Sequence, residues 1–194
     1  MIKAVIFDFG EVLIGNGWEI TYKQIAKRLK ISEEKARDIM RPLERRWSKG
    51  KINEDYFWRS LSRKTNVKID PRFTKDLFFL NMLKYTKDIT ESWKILAELK
   101  ARRVRLTLLT NIIPPHIRAL RERFARLKKL GFEFFICSSE VGFRKPDPKI
   151  YKIVLKKLNL LPTFFEPINI YELEKPQKQP KAAFGVLVTL SNPG

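Results

Sequence analysis

The chain has 194 residues, 44% of them hydrophobic and 12% aromatic, so it can bury a core and is not a disordered tail. Its single cysteine, Cys137, excludes an internal disulfide and favours a reducing compartment. Lys and Arg number 40 against 21 Asp and Glu, and this net charge of +19 favours anionic partners such as phosphorylated metabolites or nucleic acid. The apolar runs are too short for a signal peptide or a membrane span, so a cytoplasmic protein without a membrane partner is expected.

The first predicted element is a short buried strand at residues 4–7, which lacks the polar–apolar alternation of a half-buried strand. Over residues 18–83 the pattern changes to amphipathic helices. Two of these helices begin at predicted N-caps, Ser32 and Asn53, and each cap is followed by acidic residues. Such a helical stretch is too long to be a loop of a compact domain, so residues 16–85 are interpreted as an inserted cap domain.

Strands and helices alternate along the rest of the chain. Further strands are predicted at residues 103–111, 132–139, 167–171 and 185–190, and Asp147 with Pro148 begins the helix before the fourth strand. This alternation predicts an α/β fold: a Rossmann-like, mostly parallel sheet with helices on both faces. The expected core domain comprises residues 1–15 and 86–194, and the α-helical cap domain is inserted between these two parts.

Polar residues follow the predicted strands where the apolar runs end. Asp8 comes directly after the first strand, Thr110 and Asn111 end the second, and Lys145 precedes the Asp147 helix. Ligands of open α/β sheets bind at the carboxyl ends of the strands, so a carboxylate, a hydroxyl and an ammonium group are expected at one edge. Burying a lone carboxylate is costly, and a charged partner for Asp8 is therefore predicted.

Three segments resemble, in the same order, the motifs of the haloacid dehalogenase-like hydrolases, most of which are phosphatases. FDFGEVL (residues 7–13) resembles the first motif, LLTN (108–111) the second and GFRKPDPKIY (142–151) the third. One motif alone would be weak evidence, but the three together span most of the chain. The helical insertion also lies where many members of that family carry a cap domain.

The resemblance implies a role for each of these polar residues. Asp8 would be the nucleophile that forms an aspartyl-phosphate, and Lys145 would balance the charges of Asp8 and the phosphate. Thr110 and the backbone beside Asn111 would donate hydrogen bonds to a phosphoryl oxygen. The expected substrate-binding residues are Asn111, Gly10 and Glu11. The implied substrate is a small phosphorylated metabolite, and the implied cofactor is Mg²⁺.

Two positions depart from the family's usual pattern. Gly10 stands where most members carry an aspartate that acts as general acid and base, a contribution worth about 10²–10⁴-fold in rate. The fourth motif usually ends in aspartates that bind Mg²⁺, whereas this chain has Glu172 and Leu173 there, with Glu174 nearby. The magnesium ligands implied for this chain are Asp8, the Gly10 carbonyl and Glu172, and reduced activity is expected.

Two alternatives to a phosphatase remain open from the sequence. A haloacid dehalogenase uses the same nucleophile on carbon without a metal, but that branch has a bulky aromatic residue in place of Gly10. The other alternative is a catalytically inactive binding or scaffold protein, with nucleic acid as a possible partner. The motif losses and the net charge of +19, whose positive residues are densest over 102–129, favour this alternative, whereas the retained Asp8, Thr110 and Lys145 favour an enzyme.

The only histidine, His116, follows Pro114 and Pro115 near a predicted helix start and is expected to be exposed. Because the sequence has no second histidine and no cysteine cluster, a zinc site has little support. Neither the identity of the substrate nor the oligomeric state follows from the sequence.

Overall fold

The computed structural model describes residues 2–160 and the two strands 165–169 and 184–189, with side chains described from Ala4 to Leu160. The strands are β1 (Ile2–Phe7), β2 (Arg105–Thr110), β3 (Phe132–Cys137), β4 (Phe165–Asn169) and β5 (Phe184–Thr189). They form one sheet in the order β3-β2-β1-β5-β4. No helix within the described part of the chain is both long enough and apolar enough to cross a membrane.

The helices fall into two groups, one before β2 and one after it. The group between β1 and β2 comprises α1 (Trp18–Leu29), α2 (Glu33–Trp47), α3 (Glu54–Thr65), α4 (Pro71–Thr74), α5 (Leu77–Tyr85) and α6 (Thr90–Ala101). The second group comprises α7 (Pro114–Ala119), α8 (Arg121–Lys129), α9 (Ser138–Val141) and α10 (Pro148–Leu158). The predicted N-caps Ser32, Asn53 and Asp147 each accept a hydrogen bond from a backbone N–H in the first turn of their helix.

The predicted α/β architecture with a mostly parallel sheet is confirmed. Strands β1, β2 and β3 are parallel neighbours, and β4 runs in the same direction. The exception is β5, which lies between β1 and β4 and is antiparallel to both. Antiparallel neighbours can be joined without a crossover helix, whereas parallel neighbours cannot. The irregular loop predicted around Pro176 and Pro180 lies outside the described residues. Because β5 intervenes, β4 is not a direct neighbour of the strand that ends at Asp8.

Helices cover both faces of the sheet, as predicted. Val5 and Phe7 of β1 pack in one buried cluster with residues of α6 and α8. Ala4 and Ile6 point to the opposite face and pack against α10. Successive residues of a strand point to opposite faces, so apolar side chains at all four positions are what a strand covered on both sides requires.

The helical segment 18–85 is built around a second hydrophobic cluster. Buried side chains from α1, α2, α3 and α5 form most of it, among them Tyr22, Ile25, Met40, Trp47, Phe57, Leu61 and Phe78, and Ile113 from the loop after β2 joins them. The chain enters and leaves the segment through two connections that lie side by side. Gly15 N–H donates to the Lys87 carbonyl at 2.8 Å, and Ile89 N–H donates to the Leu13 carbonyl at 3.0 Å. Both connections therefore leave the sheet at one place.

Gly50 follows α2 and packs against the backbone of Ser139, which follows β3. Its φ is +66°, and a Cβ added there would lie 2.6 Å from the Ser139 carbonyl oxygen. We expect Gly50→Ala to lower the free energy of unfolding by about 2–4 kcal/mol, because both backbone strain and overpacking oppose the methyl group. Urea denaturation of the variant and the unmodified protein measures this difference.

Gly131→Ala is the matched control for this substitution. Gly131 also has a positive φ, +94°, but a Cβ there would meet no atom within 4 Å. Gly131→Ala should therefore lower the free energy of unfolding by about 1–2 kcal/mol, through backbone strain alone. Equal losses in the two variants would show that the backbone at Ser139 moves away from the added methyl group without measurable cost.

Candidate active site

An ion pair lies at the carboxyl edge of the sheet, directly after β1. Lys145 Nζ is 2.7 Å from Asp8 Oδ1, and the side chains are 16% and 29% exposed. Phe9 N–H also donates to Oδ1, at 2.7 Å. Both contacts are to Oδ1, and Asp8 also lines the cleft described below. The charged partner predicted for Asp8 is thus Lys145, which is 137 positions away in the sequence.

Asn111 holds the backbone of Lys145 in place. Its side-chain amide donates to the Lys145 carbonyl at 3.1 Å and accepts from Lys145 N–H at 2.8 Å. The Lys145–Pro146 peptide bond is cis. Ser138, at the end of β3, makes a similar link, because its Oγ accepts from Ile112 N–H at 2.9 Å. Asn111 and Ser138 therefore fix the loops after β2 and β3 to each other and to the lysine.

A cleft of about 180 Å³ opens above this edge, between the sheet and the helical segment. Asp8, Gly10, Glu11, Thr110 and Asn111 line it from the sheet side, so five of the residues predicted for the site share one cavity. Asn16, His116, Glu44 and several apolar residues complete the lining. Trp18, Glu44 and Met82 come from helices α1, α2 and α5 of the helical segment. Thr110 is buried at the end of β2.

Gly10 and Glu11 form the turn that follows Asp8. Glu11 is exposed and adopts a left-handed conformation with a φ of +60°. Its Oε1 accepts a hydrogen bond from the Asn16 side-chain amide at 3.3 Å. Gly10 is exposed, and a Cβ built on it would meet no atom within 4 Å. The position that usually carries an aspartate therefore has room for a side chain.

The expectation that His116 is exposed is wrong. His116 lines the cleft and is only 3% exposed, because Trp18 from the helical segment packs edge-on against its ring at 5.1 Å. Burial lowers the pKa of the imidazole to about 3, so the ring is neutral at physiological pH. The burial comes from a side chain about a hundred positions away in the sequence, which local polarity does not reveal.

Sequence reasoning also missed a polar cluster around Glu44 of α2. Tyr22 Oη donates to Glu44 Oε2 at 3.1 Å, and Arg144 is its principal cationic neighbour. Burial raises the pKa of the Glu44 carboxyl, whereas Arg144 and the Tyr22 hydrogen bond act in the opposite direction. The Arg144 Nε atom is buried and has no hydrogen-bond partner among the described residues.

A signal for Glu44 was present in the sequence. It lies four residues after Met40 and three before Trp47, on the buried face of the helix. A carboxylate on an apolar helix face is unusual and indicates either a partner or a cavity. Arg45 and Arg46 follow Glu44 directly, so the local sequence resembles a solvent-exposed helix face.

The magnesium ligands implied by the resemblance are only partly within the described residues. Asp8 and the Gly10 carbonyl lie together in the turn after β1, and no described residue donates a hydrogen bond to that carbonyl. Glu172 and Glu174 lie outside the described residues. Within the described part of the chain, no group of three or more His, Cys, Asp or Glu side chains could hold a metal.

Comparisons with known proteins agree with this arrangement. A family model described as haloacid dehalogenase-like hydrolase matches residues 2–165. The chain therefore belongs to the haloacid dehalogenase-like hydrolases, and the resemblance that the three motifs indicated is confirmed.

Among solved structures, a HAD family enzyme from Bacteroides thetaiotaomicron is similar, with a TM-score of 0.65 and 21% identity over 93% of this chain and 94% of that one. The same enzyme has been solved as a magnesium complex, to which this chain is 23% identical with the same TM-score of 0.65. At identities of 21% and 23%, the similarity shows a shared fold.

Curated relatives are similar over part of their own length. A phosphorylated carbohydrates phosphatase from Thermotoga maritima is 30% identical over 105 residues, which is 52% of this chain and 43% of that protein. Acyl-CoA dehydrogenase family member 10 from mouse is 26% identical over 83% of this chain and 15% of that protein. The chain thus spans less than half the length of these relatives.

Proposed function

We propose that the protein is a Mg²⁺-dependent phosphatase that hydrolyses a small phosphorylated metabolite through an aspartate nucleophile. One observation carries this proposal: Asp8 is held by Lys145 at 2.7 Å on the carboxyl edge of the sheet and lines a cleft. A structural ion pair would have no need of a cavity beside it. The similarity to a phosphorylated carbohydrates phosphatase supports the substrate class.

The first chemical step is attack of an Asp8 carboxylate oxygen on phosphorus, which breaks the bond to the ester oxygen and leaves an aspartyl-phosphate. The Lys145 ammonium is close enough to Asp8 to neutralise part of the charge on the incoming phosphate. Thr110 supplies a hydroxyl donor to a phosphoryl oxygen. Asn111 contributes indirectly, because its side chain holds the Lys145 backbone. Water then hydrolyses the aspartyl-phosphate and regenerates Asp8.

The donor atoms available beside Asp8 fit magnesium. Mg²⁺ prefers oxygen ligands and is commonly held by one or two carboxylates together with water and substrate phosphate. The Asp8 carboxylate and the Gly10 carbonyl provide two such oxygens, and Glu172 is the proposed third ligand. When bound, the ion would neutralise charge on the phosphoryl group.

Residues 16–85, the predicted cap domain, are proposed to act as a cap over this site. They contribute Trp18, Glu44 and Met82, among others, to the cleft lining and most of the second hydrophobic cluster. A cavity of about 180 Å³ suits a small metabolite better than a macromolecule. Because the lining from the helical segment faces Asp8 across the cleft, it would contact the part of the substrate beyond the phosphate.

The proposal is tested by combining turnover with capture of the intermediate. Phosphate release from p-nitrophenyl phosphate should require Mg²⁺ and should stop in excess EDTA. Borohydride added during turnover reduces an acyl phosphate to the alcohol, so mass spectrometry should find a modified side chain at Asp8 only when substrate and Mg²⁺ are both present. Turnover without modification at Asp8, or no turnover of any phosphate ester, would contradict the proposal.

A further inference from the structure

The proposed phosphatase chemistry needs a proton that no side chain at position 10 can supply. Breaking the ester bond places negative charge on the leaving oxygen, which a general acid normally protonates. Gly10 has no side chain, and His116 is kept neutral by burial, which lowers its pKa to about 3. The proton must therefore come from another group that lines the cleft.

Besides Asp8, two carboxyl groups of the described residues line this cleft, Glu11 and Glu44. Glu11 is exposed, and its Oε1 already accepts a hydrogen bond from Asn16. Glu44 is partly buried and lines the cleft from α2 of the helical segment. In an in-line displacement the leaving oxygen departs from phosphorus on the side away from Asp8, so an acid carried by the helical segment suits it better than one beside Asp8.

The surroundings of Glu44 suit a group that alternates between acid and base. Burial favours its neutral form, the form that can donate a proton, and raises the pKa of the carboxyl. Tyr22 Oη at 3.1 Å and the cationic neighbours Arg144, Arg41 and Arg45 favour the carboxylate that remains after donation. Both protonation states of Glu44 therefore receive support from the residues packed around it.

We propose that Glu44 is the general acid and base of this site, and that it supplies from the helical segment the function that position 10 lacks. This inference rests on the proposed phosphatase function and identifies a residue for it. As Asp8 attacks phosphorus, the bond from phosphorus to the ester oxygen breaks and the Glu44 proton passes to that oxygen, which leaves as an alcohol. The Glu44 carboxylate then takes a proton from the water that attacks the aspartyl-phosphate. Inorganic phosphate leaves, and Asp8 and protonated Glu44 are restored.

The test compares kcat/KM of Glu44→Gln with that of the unmodified protein for two phosphate esters whose leaving groups differ in basicity. 2,4-Dinitrophenolate leaves without protonation, whereas phenolate, an anion as basic as a tyrosine side chain, requires a proton. We expect kcat/KM of the variant to fall about 100-fold for phenyl phosphate and to change less than about threefold for 2,4-dinitrophenyl phosphate. With the latter ester, rapid mixing should show a burst of one equivalent of product, followed by slow hydrolysis of the aspartyl-phosphate.

Two further variants give the experiment its controls. Glu34→Gln removes an exposed carboxylate from the same helix and should leave both rates unchanged. Gly10→Asp, added to Glu44→Gln, should raise the phenyl phosphate rate at least about tenfold, because a Cβ at position 10 meets no atom within 4 Å and the new carboxyl supplies the missing proton. If Glu44→Gln does not fold, Glu44→Asp replaces it, since the shorter side chain withdraws the carboxyl from the leaving oxygen.

The outcomes separate this inference from the function on which it rests. Loss confined to the poor leaving group supports Glu44 as the acid. An equal loss with every ester, or no loss with phenyl phosphate, overturns the assignment of Glu44 while the phosphatase function stands. Failure of the unmodified protein to hydrolyse any of these esters overturns the proposed function, and the inference with it.

Discussion

Asp8→Asn is expected to abolish phosphatase turnover, lowering kcat/KM by at least about 10⁴-fold, without unfolding the protein. An amide is neutral and a poor nucleophile, so no aspartyl-phosphate can form. The amide oxygen can still accept the hydrogen bonds that Lys145 Nζ and Phe9 N–H now donate to Oδ1. We therefore expect the free energy of unfolding to change by only about 1 kcal/mol. Phosphate release and urea denaturation measure the two effects.

The matched control is Asp38→Asn, which makes the same chemical change on an exposed position of α2. It should leave both activity and stability unchanged. Retention of more than about a tenth of the activity in Asp8→Asn would show that another group attacks phosphorus, since loss of a nucleophile in enzymes of this kind is far more severe.

Lys145→Met is expected to lower kcat/KM by about 10²–10³-fold, the second largest effect among these substitutions. Methionine keeps the length of the side chain but removes the cation that lies 2.7 Å from Asp8 Oδ1. Without it, charge developing on the phosphoryl oxygens loses its nearest fixed cation, and the incoming phosphate meets an unbalanced carboxylate. Both a higher KM and a lower kcat should therefore be seen in steady-state kinetics.

Lys149→Met provides the comparison, because Lys149 is exposed on α10, four residues further along the chain. It removes the same charge from the protein as a whole, so any general effect of the basic surface on substrate attraction appears in both variants. Equal losses of activity would mean that Lys145 acts through long-range attraction alone and has no role at the reacting group.

The core of the site was predictable because its residues are set by chain order and strand geometry. Asp8, Thr110 and Asn111 each stand where an apolar strand ends, and the carboxyl ends of parallel strands share one edge. Lys145 could be paired with Asp8 only through the family motif. The two hydrogen bonds from the Asn111 side chain to the Lys145 backbone could not be predicted from the sequence and are seen only in the structure.

The basic stretch 102–129 shows how much charge is balanced by residues distant in sequence. Four of its nine basic residues form ion pairs within the described part of the chain, with Asp76, Asp88 and Glu133. These pairs are partly exposed and contribute little to stability. They do reduce the positive charge that this stretch presents, which composition alone overstates.

The class of fold, the family and the residues at the strand ends could be read from the sequence, because strand patterns, caps and motifs depend on neighbours along the chain. The antiparallel direction of β5, the burial of His116 and the position of Glu44 at the cleft appear only in the folded chain. The last two arise where the helical segment meets the sheet. Burial and charge there come from residues far apart in the sequence, so desolvation and partner choice are properties of the packed molecule.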